Sequence, residues 1–361
     1  MSAVAEAFAA RAPYRAGEGE AVCIWQRGRE VAHCLGGQAA PGRAWGEDTL
    51  VPIYSATKPL AAACVLLALW ERGLTPAAET GEIWPACPAP RCTVAQMLSH
   101  QAGLAATQRS ASVYDFAACR AALEDTPPAW GPPQHGYHPH TFGPIADTLV
   151  QCLVGMRLAA FWEQRVRRPL GLEVYIGLPA AEASRVALLR APRLVGAMPR
   201  SEFYSAYFSP GSPVYRAFHS VVGIDSVRDM NTLRAQQCAC PARGGVACAR
   251  GLAMAYQAIL GELEGSPFPP EVSRWLSTEQ CRGRDATLCC TTAFTCGAMC
   301  APERFFGRGG FGHAGAGGFH AFAEPGTGCS FAYVMNQMQL GILPGERVAQ
   351  LVSAFLWDTP Q

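Results

Sequence analysis

Between Leu60 and Trp70 the chain reads Leu-Ala-Ala-Ala-Cys-Val-Leu-Leu-Ala-Leu-Trp. Alanine and leucine favour helix, Pro59 suits a first helical turn, where a missing N–H does no harm, and Gly73 can end it. The run is apolar nearly all round, so it predicts a core helix that other parts of the chain must cover on every side. That cover has two textures. Strand-like runs lie towards both ends: Ala21–Trp25 and Val31–Leu35, split by the polar Gln26–Glu30 as in a hairpin and ended by Gly36-Gly37, then Gly318–Ala323 and Ser330–Met335 around a turn at Pro325–Gly328. Thr49–Tyr54 is expected to be extended. The middle is helical, with windows at 94–99, 113–123, 145–154 and 159–166 between Pro-rich loops such as Pro127–Pro133. Further helices are predicted over 2–12, 250–260 and 345–357, while 191–235, with weak periodicity, is expected to be a long irregular excursion. The pattern implies an α/β (α+β) protein, one unit over 1–361, in which a sheet domain from 1–60 and 240–361 is interrupted by a helical insert, 61–239.

Composition narrows the function. Half of the 361 residues are hydrophobic and 16% are charged, which excludes a disordered chain. The net charge of +1 gives no reason to expect nucleic acid or an acidic membrane surface as partner. No stretch approaches 18 consecutive apolar residues, so no membrane span is expected. The first 21 residues contain five charges and no apolar signal core, which predicts a cytoplasmic protein. Its sixteen cysteines include no C-x-x-C pair and no zinc-type spacing, so they are expected to be reduced, small hydrophobes, with neither metal nor cofactor. One count is unusual: of 29 basic residues, 28 are arginine and only Lys58 is lysine. Arginine stays protonated at any ordinary pH, whereas a buried lysine readily gives up its proton. Lys58 therefore stands where something other than fixed charge is needed.

Lys58 lies three residues after Ser55, on the same side of a helix start. A serine hydroxyl is a weak nucleophile until a neighbouring base activates it, and a neutral amine can do so. Ser-x-x-Lys is the arrangement of the penicillin-recognising serine enzymes. Gly136-Tyr137-His138-Pro139-His140-Thr141-Phe142-Gly143 offers a tyrosine as proton shuttle, whose phenol would ionise more easily beside a cation. Gly309 to Gly318, around His313, is a glycine-rich loop before a predicted strand, where backbone can approach a ligand closely. One N–H there, with that of Ser55, would form an oxyanion hole. No G-x-S-x-G elbow surrounds any serine.

Taken together, these elements resemble, in order and spacing, the serine β-lactamase-like hydrolases: class C β-lactamases, their D-aminopeptidase relatives and the family VIII carboxylesterases. Val4–Phe8 resembles their opening helix, and Trp45–Leu50 the segment before Tyr54-Ser-Ala-Thr-Lys58. Thr93-Val-Ala-Gln-Met-Leu-Ser-His-Gln-Ala-Gly-Leu104 resembles "TVRHLLSHTSGL". Tyr137-His-x-x-Thr-Phe-Gly143 resembles the esterase form of the tyrosine motif, Arg168–Leu172 the "PLGM" turn, Phe311–Gly318 the third motif and Tyr333–Asn336 the "YVxN" strand.

The resemblance implies a β-lactamase/transpeptidase-like fold, an antiparallel sheet flanked by helices plus a mostly helical domain. It also implies Ser55 as acyl-forming nucleophile, Lys58 as its proton partner and Tyr137 as general base and then general acid. Ser55 and Ala316 would supply the oxyanion hole, with His313, Gly315 and His138 near the substrate. Two departures stand out. Class C β-lactamases carry Tyr-x-Asn and Lys-Thr-Gly, where this chain has Pro139 and His313-Ala-Gly315; a mostly neutral histidine holds a β-lactam carboxylate less well than lysine. A serine carboxylesterase acting on a small-molecule ester is therefore the expectation. An acyltransferase, an amide or peptide hydrolase, a true β-lactamase and a non-catalytic binding protein on the same fold are the alternatives.

Overall fold

The computed structural model describes residues 2–193 and 200–358. The chain opens with helix α1 (Ala3–Ala9), whose first turn is capped by the Ser2 hydroxyl. Strands β1 (Gly19–Gln26) and β2 (Arg29–Ala40) follow as the expected hairpin. Its turn puts Arg27 and Gly28 at φ 48° and 74°, the paired left-handed residues that match strand twist. Contrary to expectation, β2 does not stop at Gly36-Gly37. A Cβ on Gly37 would lie 2.1 Å from the Glu18 carbonyl oxygen, so glycine here admits a neighbouring backbone instead of ending the strand.

After β3 (Arg43–Ala44) and β4 (Val51–Pro52), the chain turns earlier than predicted. Tyr54 takes φ 49°, a 3₁₀ turn spans Tyr54–Thr57, and α2 (Lys58–Glu71) begins at once. Every residue of α2 from Lys58 to Leu69 is buried, as an all-round apolar run requires. It packs along α3 (Phe142–Val154). Strand β5 (Val174–Ile176) joins β4 through β6 (Gly245–Ala247) in a three-stranded sheet.

The excursion expected over 191–235 is in fact mostly short helices, including α4 (Glu202–Tyr207) and α5 (Pro213–His219); residues 194–199 lie outside the described residues. Ser201 and Ser212 cap these helices, but four to seven residues hold too few turns to display a period. The window at 113–123 likewise starts late, at Phe116, because Ala111–Ser112 pairs with Val221–Val222.

Helix α6 (Ala249–Leu260) precedes three more strands, β7 (Phe311–Gly315), β8 (Phe319–Glu324) and β9 (Cys329–Met335), and then α7 (Glu346–Asp358). The glycine-rich stretch expected as a loop is thus largely the edge strand β7. The six-stranded antiparallel sheet runs β7-β8-β9-β1-β2-β3, so sequence-distant ends pair at its centre, with Cys23 opposite Ala332. Alternate residues face opposite layers. The Ser330 hydroxyl donates to the Ala253 carbonyl of α6 at 2.8 Å, whereas Phe331 packs on Phe322 and on Phe355 of α7.

The sixteen cysteines carry free thiols, nine of them buried, in keeping with use as small hydrophobes. Among the described residues no single helix is long and apolar enough to cross a membrane.

Candidate active site

Ser55 sits in a turn tightly fixed by its neighbours. The Thr57 hydroxyl donates to the Tyr54 carbonyl at 2.6 Å and accepts from the Gly245 N–H at 3.0 Å. The Ile53 N–H donates to the Gly245 carbonyl, so β6 clamps the turn from one side. Strand β7 closes it from the other: a Cβ on Gly315 would lie 2.4 Å from the Ile53 carbonyl oxygen. Tyr54 is held in the left-handed region that non-glycine residues avoid. Together these contacts present the Ser55 hydroxyl at the start of a buried helix.

Lys58 is completely buried. Its Nζ lies 3.0 Å from Ser55 Oγ, 2.9 Å from the Pro139 carbonyl oxygen and 3.0 Å from the Ala242 carbonyl oxygen. Among the described residues no carboxylate pairs with it. Burial pulls its pKa well below the ordinary lysine value, and the nearby Arg243 adds to the effect. A neutral amine has two N–H donors and one lone pair. Two carbonyls that only accept and one hydroxyl that can donate match that inventory. The Tyr137 hydroxyl is 2.7 Å from Ser55 Oγ, and burial pushes its pKa up. With a neutral amine the proton order is Tyr137 O–H to Ser55 Oγ and Ser55 O–H to Lys58 Nζ; with an ammonium, Nζ donates to Ser55 Oγ instead. The environment thus opposes the ionised phenol expected for Tyr137 and favours a neutral lysine.

Tyr137 is positioned through its backbone. Its N–H donates to both oxygens of Asp285, at 3.0 and 3.2 Å. Asp285 is buried and also accepts from the N–H groups of Thr287 and Leu288 and from the Thr292 hydroxyl. Burial raises its carboxyl above the usual range, while these hydrogen bonds pull the other way.

His138, expected near the substrate, does not line the cavity at Ser55. It faces the other way, where its Nε2 accepts from the Leu104 N–H at 2.9 Å and its Nδ1 lies 3.2 Å from His100 Nδ1. Burial lowers its pKa to about 3, so it is a neutral brace between two loops. Gly315 is buried under the nucleophile turn and does not line that cavity either; its part is to let β7 approach. His313 packs against Tyr137 at a tilt of 35°, with ring centroids 5.5 Å apart. Its Nδ1–H donates to the Ala314 carbonyl at 2.7 Å, its Nε2 is buried without a partner, and burial lowers its pKa to about 3. Ala316, the next residue after β7, lines the cavity beside Ser55.

That cavity, about 360 Å³, is bordered by Ser55, Tyr137, Pro139, His140 and Ala316, and walled by Phe203, Tyr207 and Phe218 of α4 and α5 with Met338 and Ile342 opposite. Sequence reasoning missed Asp285 and Arg243, the latter also in the wall. Away from the cavity, Cys23, Glu30 and His33 converge as metal ligands would, but Arg250 donates to Glu30 and contacts His33, so a cation already fills that place.

The fold and this serine–lysine–tyrosine cluster define the β-lactamase/transpeptidase-like class. The Beta-lactamase family model matches residues 6–352, and the chain belongs to that family. It is 31% identical to "Esterase/beta-lactamase LipL" of Mycobacterium tuberculosis, over 94% of this chain and 81% of that protein. Among solved structures it is similar to a novel penicillin-binding protein homolog from Caulobacter crescentus, with TM-score 0.85, 29% identity and coverage of 99% and 96% of the two chains. It is equally similar to a family VIII carboxylesterase, with TM-score 0.86, 28% identity and coverage of 99% and 96%.

Proposed function

We propose that this protein is a serine carboxylesterase that hydrolyses small esters through a Ser55 acyl-enzyme. The observation that carries the proposal is the hydrogen-bonded chain from Tyr137 through Ser55 to a buried lysine that forms no ion pair among the described residues. Ser55 Oγ attacks the ester carbonyl carbon and its proton passes to the neutral Lys58 amine. The N–H groups of Ser55 and Ala316 stabilise the oxyanion. As the tetrahedral intermediate collapses, Tyr137 gives its proton to the departing alkoxide, and the Lys58 ammonium, whose Nζ lies 4.8 Å from the Tyr137 ring centroid, then returns a proton to the phenolate. Water then attacks the acyl-enzyme, Lys58 takes its proton, and Ser55 leaves with a proton returned through the same chain. The general-base role assigned to Tyr137 in the sequence reading passes here to Lys58, because burial disfavours both the phenolate and the ammonium.

An ester is favoured over a β-lactam for two reasons. Pro139 contributes a carbonyl to Lys58 where an asparagine amide would face the antibiotic, and His313 is neutral and lies outside the cavity lining. The names of the similar proteins, esterase and carboxylesterase among them, support this choice. A panel of p-nitrophenyl esters, nitrocefin and D-amino-acid amides tests it, with fluorophosphonate labelling of Ser55. Ser55→Ala is expected to abolish ester turnover and labelling while remaining folded; turnover within tenfold of wild type overturns the nucleophile assignment.

A further inference from the structure

Among the described residues, Arg243 is the one arginine that lines the cavity at Ser55, and Lys58 lies outside its lining. Arg243 is only 6% exposed. One terminal nitrogen lies 2.8 Å from His140 Nε2 and the other donates to the Val221 carbonyl at 3.3 Å, while Nε is buried with no partner. It forms no ion pair among the described residues. His140 cannot compensate it, because an imidazole is neutral or cationic and never supplies the missing negative charge; burial and Arg243 itself hold the ring's pKa well below the ordinary value. Asp225, among the described residues the one carboxylate in the cavity lining, is exposed and accepts from the Gly223 N–H at 3.0 Å. A buried cation without an anion is costly, and residues kept in that state are expected to receive one. Phosphate could neutralise the charge too, but it would have to shed a larger hydration shell among Phe203, Tyr207, Phe218 and Ile342. A carboxylate presents two coplanar oxygens that suit the guanidinium fork.

We infer that this cavity selects esters that bear a carboxylate, held by Arg243, on an otherwise apolar frame. The inference rests on the esterase reading above and narrows its substrate class. The test uses two matched pairs: mono-4-nitrophenyl adipate against its methyl ester, and 4-acetoxybenzoate against its methyl ester. They place the carboxylate on the acyl and on the alcohol side respectively. In at least one pair the anionic member is expected to show kcat/KM at least tenfold higher, chiefly through KM. Arg243→Gln should bring that ratio to about one, and Arg243→Lys should keep part of it. Equal rates within both pairs, or a preference that survives Arg243→Gln, overturn the inference. If Arg243→Gln does not fold, inhibition of the wild-type protein decides: adipate must inhibit p-nitrophenyl acetate turnover far better than adipamide, and equal inhibition overturns the idea. If no ester of any kind is turned over, the esterase reading fails on its own. The anion site is then read by thermal melting, where stabilisation by adipate but not adipamide supports it and equal behaviour sinks it.

Discussion

An ammonium at Lys58 would lie inside the protein among two carbonyl oxygens, a hydroxyl and the rings of Tyr137 and Phe142, with no carboxylate paired to it among the described residues. The neutral amine satisfies the same three contacts and avoids burying a charge. Lys58→Arg is therefore expected to be nearly as damaging as Lys58→Ala, each losing at least a hundredfold in activity per folded enzyme on the scale of general-base catalysis. Circular dichroism and melting would verify folding, and a folded Arg variant with near-wild-type turnover would remove Lys58 from the mechanism. The sign of the pH dependence follows as well. Lys58 must be unprotonated to act, so kcat/KM should fall as pH drops through its depressed pKa, on a limb well below the ordinary lysine range. For stability, the unfolded chain binds a proton at this position that the folded one does not, between the depressed pKa and 10.5. Across that window wild type should gain stability relative to Lys58→Met as pH rises, which urea melts at pH 7 and pH 9 would check. Residue-scale chemistry was readable in advance where it was unusual: a single lysine three positions after a serine. Arg243 was hidden because it is one of 28 arginines. Asp285 acts on a backbone N–H 148 positions away, and no local pattern records that contact.

The nucleophile turn belongs to elements, not to one side chain. β4, the 3₁₀ turn and α2 meet β6 and β7, and Thr57 joins two of them through one hydroxyl. Thr57→Val keeps the shape but strands the Tyr54 carbonyl and the Gly245 N–H. It should cost about 2 kcal/mol and slow acylation by letting Ser55 drift, seen as a fall in kcat greater than any change in KM. Asp285→Asn keeps the volume while weakening the hold on Tyr137. A larger loss in kcat than in KM is expected there too, with a stability loss of roughly 1–3 kcal/mol by chemical denaturation. At this scale long elements were legible and short ones were not. The core helix was evident from an apolar run on every face. α4 and α5 passed unseen because their signal is a capping serine without enough turns behind it. The left-handed Tyr54 ended a strand that composition alone would have continued.

The main sheet makes the whole molecule depend on joining its two ends. Asn336 shows how this is done: its Oδ1 accepts from the Gly19 N–H at 2.9 Å, and its Nδ2 reaches the carbonyls of Gly17, Gln38 and Ala39 at 3.0, 3.0 and 3.1 Å. A buried carboxylate, Glu20, adds a second clasp through Arg347 of α7 and the Tyr333 hydroxyl. Asn336→Leu should destabilise the protein by roughly 3 kcal/mol, since several buried backbone groups lose their partner, while the catalytic pH profile of the folded fraction stays unchanged. A profile that moved with it would mean the clasp also sets the active-site geometry. Strand texture at both ends made this sheet foreseeable, but not the extension of β2 past two glycines or the strand within the glycine-rich segment.

Besides the Ser55 hydroxyl, the oxygens around Lys58 come from the main chain at Pro139 and Ala242, whereas the cavity wall at 203, 207 and 218 consists of side chains. Mutation can rewrite the second set freely and can hardly touch the first. Chemistry and selectivity are thus inherited through different parts of the polymer. A library randomised at the three aromatic wall positions, 203, 207 and 218, should yield many altered substrate preferences and few dead enzymes, because the two carbonyls that hold the lysine's amine are not encoded by side chains.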